Sequence, residues 1–139
     1  MSEERPRVGV GVMIWKDGKV LLGRRLKDPG KGEYAWPGGH LEHMESIEEC
    51  AKRETREETG MEITNIRFVR LVNMKHYAPR HYVDIGVRAE WVSGEVQVLE
   101  PETTESWGWY APEQLPQPLF AAEPYYFEAL KTGRIFFDN

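Results

Sequence analysis

The 139-residue sequence lacks a second cysteine to accompany Cys50. A lone cysteine forms neither an internal disulfide nor a cysteine-based zinc site, so the cysteine usage gives no indication of secretion. The sequence also lacks any apolar run approaching the roughly 20 residues of a membrane-spanning helix. Its first six residues have none of the apolar character of a signal peptide. We therefore expect a cytoplasmic protein without a membrane partner.

An excess of positive charge is missing as well. The 18 Lys and Arg residues face 23 Asp and Glu residues, which gives a net charge of −5 at pH 7. A general binder of nucleic acid polymers needs the opposite sign, because phosphate neutralisation supplies most of its affinity. The 40% of apolar and 12% of aromatic residues suffice for a core, which excludes a chain disordered throughout. The length fits a single domain over 1–139, with a core over about 8–131.

Side-chain periodicity and turn signals predict the secondary structure. Alternating apolar residues predict a strand over 8–14, and Asp17-Gly18 between two apolar runs predicts a hairpin into the next strand. The S-x-x-E pattern at Ser46 is a capping box that begins a helix over 46–59. The remaining elements are strands over 20–22, 34–37, 63–74, 81–92 and 106–110, a loop opened by Gly38-Gly39, and a second helix over 120–131. This order favours an α+β fold, or an α/β/α sandwich, with helices packed on a mixed sheet.

Glu54, Glu57 and Glu58 form an unfavourable cluster on one face of the first helix, because like charges at these spacings repel. The helix dipole also disfavours anions near the C-terminus, and Glu54 and Glu58 continue an apolar stripe that should face the protein. A hard divalent cation would remove these penalties, since Mg²⁺ binds a few carboxylates together with substrate phosphates. Taken alone, the cluster would also fit a solvated helix end paired with Arg53 and Arg56.

The residues around the cluster resemble the Nudix box, G-x5-E-x7-R-E-U-x-E-E-x-G-U, in which U is a bulky apolar residue. Thr55 stands where an apolar residue is usual, and Met44 stands where family members often have glycine. Seven fixed residues within 23 positions make the match specific, and a solvated helix end no longer accounts for the cluster. All seven fixed positions are present at their spacing: Gly39, Glu45, Arg53, Glu54, Glu57, Glu58 and Gly60.

The resemblance implies a Nudix fold, an α/β/α sandwich around a central mixed sheet, and hydrolysis that depends on a divalent metal. Glu54 and Glu58 would bind the catalytic Mg²⁺ with Glu57 assisting, and Mn²⁺ would be an alternative ion. Gly39 would bend the loop and offer its carbonyl oxygen to the metal. Glu102 would lie beside the metal, where it would bind a second ion or act as a base, although a solvated loop glutamate fits its position equally well.

The family pattern also assigns roles to the rest of the box. Arg53 would orient the catalytic glutamates and pair with Glu45, and Gly60 would end the helix. The similarity covers about residues 8–120 and looks like the branch of the family that cleaves nucleoside triphosphates. That branch includes enzymes acting on oxidised or methylated deoxynucleotides, on CTP-type substrates and on dihydroneopterin triphosphate. The implied products are a nucleoside monophosphate and pyrophosphate.

A diphosphate substrate needs positive or dipolar groups besides the metal. Only one of the neighbours Arg24 and Arg25 can enter the cleft, and we favour Arg25, with a surface cation beside Asp28 as the alternative. His40 follows two glycines and would donate to a phosphate oxygen, unless it is a structural histidine. The other candidates for substrate contact are Gly38 and three aromatic residues that would stack on a base or pack in the core: Tyr34, Trp36 and Phe120.

Two alternatives to a nucleoside triphosphate hydrolase stay open. The substrate would be another diphosphate-linked compound, such as a nucleotide sugar, ADP-ribose or a prenyl diphosphate, or the domain would bind a nucleotide without cleaving it. The intact glutamates argue against a pure binder, which has no need for their repulsion. We also expect a homodimer, because the aromatic content is high for an acidic domain and relatives of similar length often dimerise.

Overall fold

The computed structural model describes residues 4–139. Over these residues, two α-helices, α1 (Ile47–Thr59) and α2 (Pro124–Thr132), accompany a 3₁₀ turn at Pro112–Gln114. Neither α-helix is long and apolar enough to cross a membrane. The strands are β1 (Arg7–Lys16), β2 (Lys19–Arg25), β3 (Tyr34–Ala35), β4 (Gly38–His40), β5 (Glu62–Met74), β6 (Tyr82–Ser93), β7 (Thr104–Tyr110) and β8 (Phe136–Asp138).

The strands form one mixed sheet. Its main path runs β3-β2-β1-β6-β5-β8, with β4 paired to β1 and β7 paired to β2. The central strand β1 is parallel to β6 and antiparallel to β2 and β4. At one edge, β8 pairs in parallel with β5. The mixed pairing and the two helices confirm the predicted α+β fold.

The two helices pack on opposite faces of the sheet, because side chains of β1 alternate between two apolar clusters. Val12 and Ile14 lie in the cluster that contains Cys50 of α1. Met13, between them, lies in the cluster that contains Tyr126 of α2. The sheet is therefore the middle layer of an α/β/α sandwich, and β1 is buried on both sides.

The helix α1 begins and ends where the sequence predicts. Ser46 Oγ accepts the Glu49 N–H at 3.0 Å, and the Glu49 carboxylate accepts the Ser46 N–H at 3.2 Å, which completes the capping box. Gly60 has φ of 77° and donates its N–H to the Arg56 carbonyl at 3.0 Å. Glycine adopts this left-handed conformation without the steric penalty of a side chain.

Two strands, β4 and β8, were absent from the sequence prediction. The loop predicted at Gly38-Gly39 is a strand because these residues pair with β1. A Cβ atom at Gly38 would overlap the Val10 carbonyl oxygen, so glycine permits the close backbone approach that pairing needs. β8 is too short for its periodicity to be recognised, yet Phe137 is buried in the core.

The second helix begins at Pro124, four residues later than predicted. Phe120 donates its N–H to the Tyr34 carbonyl at 2.8 Å, and Leu119 forms a bridge with Tyr34. This pairing takes residues 119–120 out of any helix and holds them beside β3. Proline then occupies the first helical turn, where its missing N–H costs nothing.

Candidate active site

A cleft of about 430 Å³ opens where β1, β2, β4 and β6 meet α1. Its volume falls in the range of small-molecule sites. Gly9 and Gly11 of β1 line it without side chains, and Arg25 projects from β2. The carboxylates of Glu54 and Glu58 line it from the helix. The fold thus brings one helix face and the middle of the sheet to one site.

The Glu58 carboxylate sits deepest among the three glutamates of the helix. Its Oε2 accepts the Gly38 N–H at 3.0 Å, a bond between α1 and β4. Burial raises the pKa of Glu58 well above its ordinary value. The negative charge of Glu54 raises this pKa further, whereas the hydrogen bond from the Gly38 N–H lowers it. Burial also raises the pKa of Glu54, opposed by the hydrogen bond from Arg53. An anionic Glu58 therefore calls for a positive partner in the cleft.

Arg53 donates to several glutamates and to a backbone carbonyl, which fixes the position of the cluster. Its Nε and Nη2 donate to the two oxygens of Glu45 at 2.6 and 3.0 Å. Its Nη1 donates to Glu54 at 2.8 Å and to Glu57 at 3.1 Å, and Nη2 also donates to the His40 carbonyl at 3.1 Å. The hydrogen bonds from Arg53 hold the pKa of Glu45 at about 2. Glu57 remains exposed, outside the residues that line the cleft.

Gly39 forms a cradle for the Glu54 carboxylate. A Cβ atom at Gly39 would lie 2.6 Å from Glu54 Oε2, closer than real Cβ atoms approach an oxygen. Only a residue without a side chain lets this carboxylate rest against β4. Gly39 pairs with Val10, which connects the cradle to the central strand of the sheet.

The donor set at this end of the cleft suits a hard divalent cation. Across residues 4–139, no three His, Cys, Asp or Glu side chains stand as a complete metal site. The Glu54 carboxylate accepts a hydrogen bond from Arg53, and the Glu58 carboxylate accepts one from the Gly38 N–H. Mg²⁺ does not need three carboxylates, because it keeps waters and takes substrate phosphates. The all-oxygen set fits Mg²⁺ or Mn²⁺ better than zinc.

The acidic loop before β7 contributes Glu100 to the cleft, whereas Glu102 is exposed and lies outside the lining residues. Burial raises the pKa of Glu100, and the charges of Glu57 and Glu102 add to the rise. The Glu100 charge in turn contributes to the raised pKa values of Glu54 and Glu58. Glu100 and Glu102 belong to one E-P-E run, and no local pattern indicates which of the two faces the cleft.

Arg25 lines the cleft, and its neighbour Arg24 pairs instead with Glu105 at 3.2 Å. Arg25 Nε donates to the Pro29 carbonyl at 2.7 Å. Its guanidinium carbon stands 4.8 Å from the centre of the Phe120 ring, a cation–π contact. Arg25 is thus held between a loop carbonyl and an aromatic face while remaining in the cleft.

The other candidate substrate residues divide between cleft and core. Gly38, His40, Trp36 and Phe120 line the cleft, although Trp36 is only 5% exposed and packs edge-on against a tyrosine of α2. Tyr34 does not line it and contacts Tyr110 edge-on. The ring of His40 stacks on a tyrosine ring. Burial lowers the pKa of His40, and the positive charge of a nearby arginine lowers it further.

Three further charged residues of the cleft region were not predicted from the sequence. Arg70 of β5 is fully buried, and Asp84 of β6 and Glu123, just before α2, line the cleft. Arg70 and Asp84 lie within strands that were predicted only from their apolar neighbours. An ion pair between residues of different strands cannot be predicted from the local sequence pattern of either strand.

The buried Glu123 should make stability depend on pH. Burial, with the Asp84 charge adding and Arg70 opposing, raises the pKa of Glu123 from 4.5 to about 8. Between these values the unfolded chain releases a proton that the folded chain keeps, so this group lowers stability as pH rises, by up to about 1.4 kcal/mol per pH unit. Glu123→Gln should remove that slope. The free energy of unfolding, measured with urea at pH 5.5, 7 and 8, should rise with pH for the variant relative to the wild type. A difference that stays constant with pH would contradict this.

The chain matches a family model and several known proteins. The model, described as the NUDIX domain, matches residues 5–130. The NAD-capped RNA hydrolase NudC of Pseudomonas aeruginosa is 32% identical over 105 residues, 76% of this chain and 36% of that protein. The ADP-ribose pyrophosphatase of Methanocaldococcus jannaschii is 48% identical over 56 residues, 40% of this chain and 33% of that one. This chain therefore spans about a third of the length of these curated relatives.

A solved structure is similar over nearly its whole length. The MutT NUDIX hydrolase from Burkholderia pseudomallei superposes with a TM-score of 0.85 at 36% identity, over 90% of this chain and 98% of that one. The fold agrees with the resemblance seen in the sequence, and three residues of the Nudix box, Gly39, Glu54 and Glu58, line the cleft. The family model, which matches most of the chain, and these relatives show that the chain belongs to the Nudix family.

Proposed function

We propose that this Nudix hydrolase cleaves nucleoside or deoxynucleoside triphosphates to a nucleoside monophosphate and pyrophosphate, with Mg²⁺, or Mn²⁺ in its place, as the cofactor. One observation carries the proposal: Glu54, Glu58 and Arg25 line the same cleft as the aromatic ring of Phe120. The carboxylates suit a divalent metal that also binds the phosphate chain of the substrate, and the aromatic ring suits stacking on a nucleobase. The net charge of −5 favours a free nucleotide in the cytoplasm over a nucleic acid polymer.

The proposed mechanism relies on positioning and on neutralisation of charge. Glu54 and Glu58 would hold Mg²⁺, which would supply positive charge to the phosphate oxygens and to the leaving group. Arg53 keeps Glu54 in place through its 2.8 Å contact. We assign Glu57, exposed at the rim, an assisting role through water. Arg25 donates to the phosphate chain from the end of β2.

Water attacks a phosphorus atom, and the bond between that phosphorus and the oxygen bridging the α and β phosphates breaks. The water proton passes to a carboxylate of the cleft. Glu100 is suited to this because its raised pKa makes it a stronger base and because it lines the cleft. Glu102, exposed on the same loop, keeps a proposed role in holding a second ion. Reaction in ¹⁸O-water will identify the attacked phosphorus, because the labelled product contains it.

The products test the proposed bond cleavage. The chain has no G-x-x-x-x-G-K-[ST] loop that would enclose a γ-phosphate. We expect deoxynucleoside triphosphates with Mg²⁺ to release pyrophosphate and monophosphate as primary products, measured by anion-exchange chromatography with and without added pyrophosphatase. Nucleoside diphosphate and orthophosphate as primary products would overturn the assignment and indicate a phosphatase.

A second candidate substrate class has support from the relatives. Their names specify NAD-capped RNA and ADP-ribose, in which a diphosphate joins two groups. Nucleotide sugars and prenyl diphosphates belong to the same open class. Ranking NAD, ADP-ribose and the triphosphates by kcat/KM will separate the two classes. The intact Glu54, Glu57 and Glu58 argue against a non-catalytic nucleotide binder, which has no need for their repulsion.

We also propose a homodimer. Phe68 of β5 and Phe136 of β8 are 52% and 65% exposed on neighbouring strands. β8 forms an edge of the sheet, and exposed apolar groups at an edge favour association. Sedimentation at micromolar concentration should give the mass of a dimer. Detection of the monomer alone would refute the proposal.

A further inference from the structure

A second groove lies beside the cleft and is rich in positive charge. Its volume is about 740 Å³, and it is formed by the segment that leads into β1 and by the loop between β5 and β6. Over the described part of the chain, four Lys and Arg side chains and one carboxylate line it: Arg5, Arg7, Lys75, Arg80 and Glu4. Since the whole chain has a net charge of −5, this excess of cations is a local feature.

Three cations of the groove have no role inside the protein. Arg7, Lys75 and Arg80 are exposed, and none of them takes part in an ion pair with residues 4–139. Like charges gathered in one groove repel each other, which is unfavourable for the protein alone. An anion bound among them would remove that penalty.

Backbone hydrogen bonds fix the two segments that carry these cations. Arg7 donates its N–H to the His81 carbonyl at 3.0 Å and stands opposite Tyr82 in the parallel pairing of β1 with β6. Within the loop, the Ala78 N–H donates to the Lys75 carbonyl at 3.0 Å. The cations thus extend from backbone that is already in place, so that a bound anion has to order only side chains, which keeps the entropic cost of binding low.

Tyr82 joins the groove to the cleft, because it lines both. Its ring stacks on His40 of the cleft, with the ring centres 5.9 Å apart. The cleft itself is acidic, since six Asp and Glu side chains line it beside Arg25 and Lys27. Its carboxylates repel the phosphates of an approaching nucleotide. The groove places the opposite charge directly at the rim of the cleft.

We propose that the groove is a second phosphate-binding site, which captures the phosphate chain of the substrate beside the acidic cleft. The ligand class is a free oligophosphate, the group that both candidate substrate classes contain. The inference rests on the proposed function only in that the substrate carries linked phosphates. Charges of one sign beside a site raise the local concentration of the oppositely charged ligand and its association rate, by about 10-fold or more at low ionic strength.

Binding of tripolyphosphate without metal tests the site independently of turnover. In an NMR titration, the amide signals of Arg80 and His81 should shift in a saturable manner, whereas those of Gly38 and Gly39 in the cleft should not. Lys75→Gln combined with Arg80→Gln should raise the Kd about tenfold, the scale of losing two exposed charge contacts. Shifts confined to the cleft, or an unchanged Kd in this double variant, would overturn the proposal.

A matched control separates a site from a response to net charge. Lys19 lies in the hairpin at the far end of β1, and Lys131 lies in the last turn of α2; both are exposed and lie outside the residues that line the groove. Lys19→Gln combined with Lys131→Gln removes the same charge and should leave the Kd unchanged. An equal loss of affinity would reject the groove. Tighter binding of a single-stranded oligonucleotide at the same amides would reject a free oligophosphate as its ligand.

Steady-state kinetics with Mg²⁺ test capture of the substrate. Lys75→Gln combined with Arg80→Gln should raise KM and leave kcat unchanged, because the groove acts before the chemical step. Added salt should lower kcat/KM less steeply in this variant than in the wild type, since salt screens the charges that have been removed. Parallel salt dependences would overturn capture. Saturable binding of tripolyphosphate without turnover of any triphosphate would retain the phosphate site and reject the proposed function.

Discussion

Glu58→Gln is expected to lower kcat by about two to three orders of magnitude, the scale of losing one strong electrostatic contributor at an active site. The substitution keeps the shape of the side chain and an oxygen that can still accept the Gly38 N–H. It removes the negative charge that the proposed metal requires. Glu54→Gln should act similarly. Steady-state assays over a range of Mg²⁺ concentrations will measure the loss.

Two controls show that the loss comes from charge at the site. Glu48→Gln alters an exposed glutamate of the same helix, paired with Lys52 at 3.3 Å, and should keep near-normal kcat. The melting temperature of Glu58→Gln should stay the same or rise, because burial of the Glu58 charge near Glu54 is unfavourable without a metal. A Glu58→Gln enzyme with a near-normal rate would reject Glu58 as a metal ligand.

Gly39→Ala is expected to lower kcat about 100-fold while leaving the fold intact. The added Cβ would overlap the Glu54 carboxylate, so the carboxylate must move. It is the end of a flexible side chain, so the movement costs little stability. A displacement of about 1 Å at a catalytic group, however, can cost about two orders of magnitude in rate.

A double-mutant cycle tests this cause directly. If Gly39→Ala acts by moving Glu54, then adding it to Glu54→Gln should lower kcat little further. Independent, multiplying losses would show that the methyl group acts elsewhere, for example on the backbone of β4. Thermal unfolding of each variant should confirm that the proteins remain folded under assay conditions.

The helix and its cluster were predictable because their signals are local. A capping box, a terminal glycine and glutamates one turn apart lie within 15 consecutive residues, 46–60. The sequence also favoured Arg25 over Arg24 for the cleft. Of these two arginines, the structure places Arg25 among the residues that line the cleft. Patterns confined to one helix or one strand translate directly into the direction in which a side chain points.

The features that escaped prediction depend on contacts between distant segments. Gly38 indicated a loop, but its lack of a side chain serves strand pairing with Val10. Arg70, Asp84 and Glu123 meet only after three elements have packed together. Glu100 lines the cleft in place of Glu102 because the acidic loop folds back onto α1, where the Leu99 N–H contacts the Glu58 carbonyl at 3.3 Å.

The parallel pairing of β1 with β6 also governs the order in which the chain can assemble. Gly9 and Gly11 lie opposite Asp84 and Gly86, about 75 residues further along the chain. On the ribosome, the hairpin of β1 and β2 and the capped helix α1 can form early, because their contacts are local. The cleft must wait until β6 has emerged and the long connection has closed, an entropically costly step that slows folding. Catalytic competence should therefore appear late in synthesis, once β6 has paired with β1.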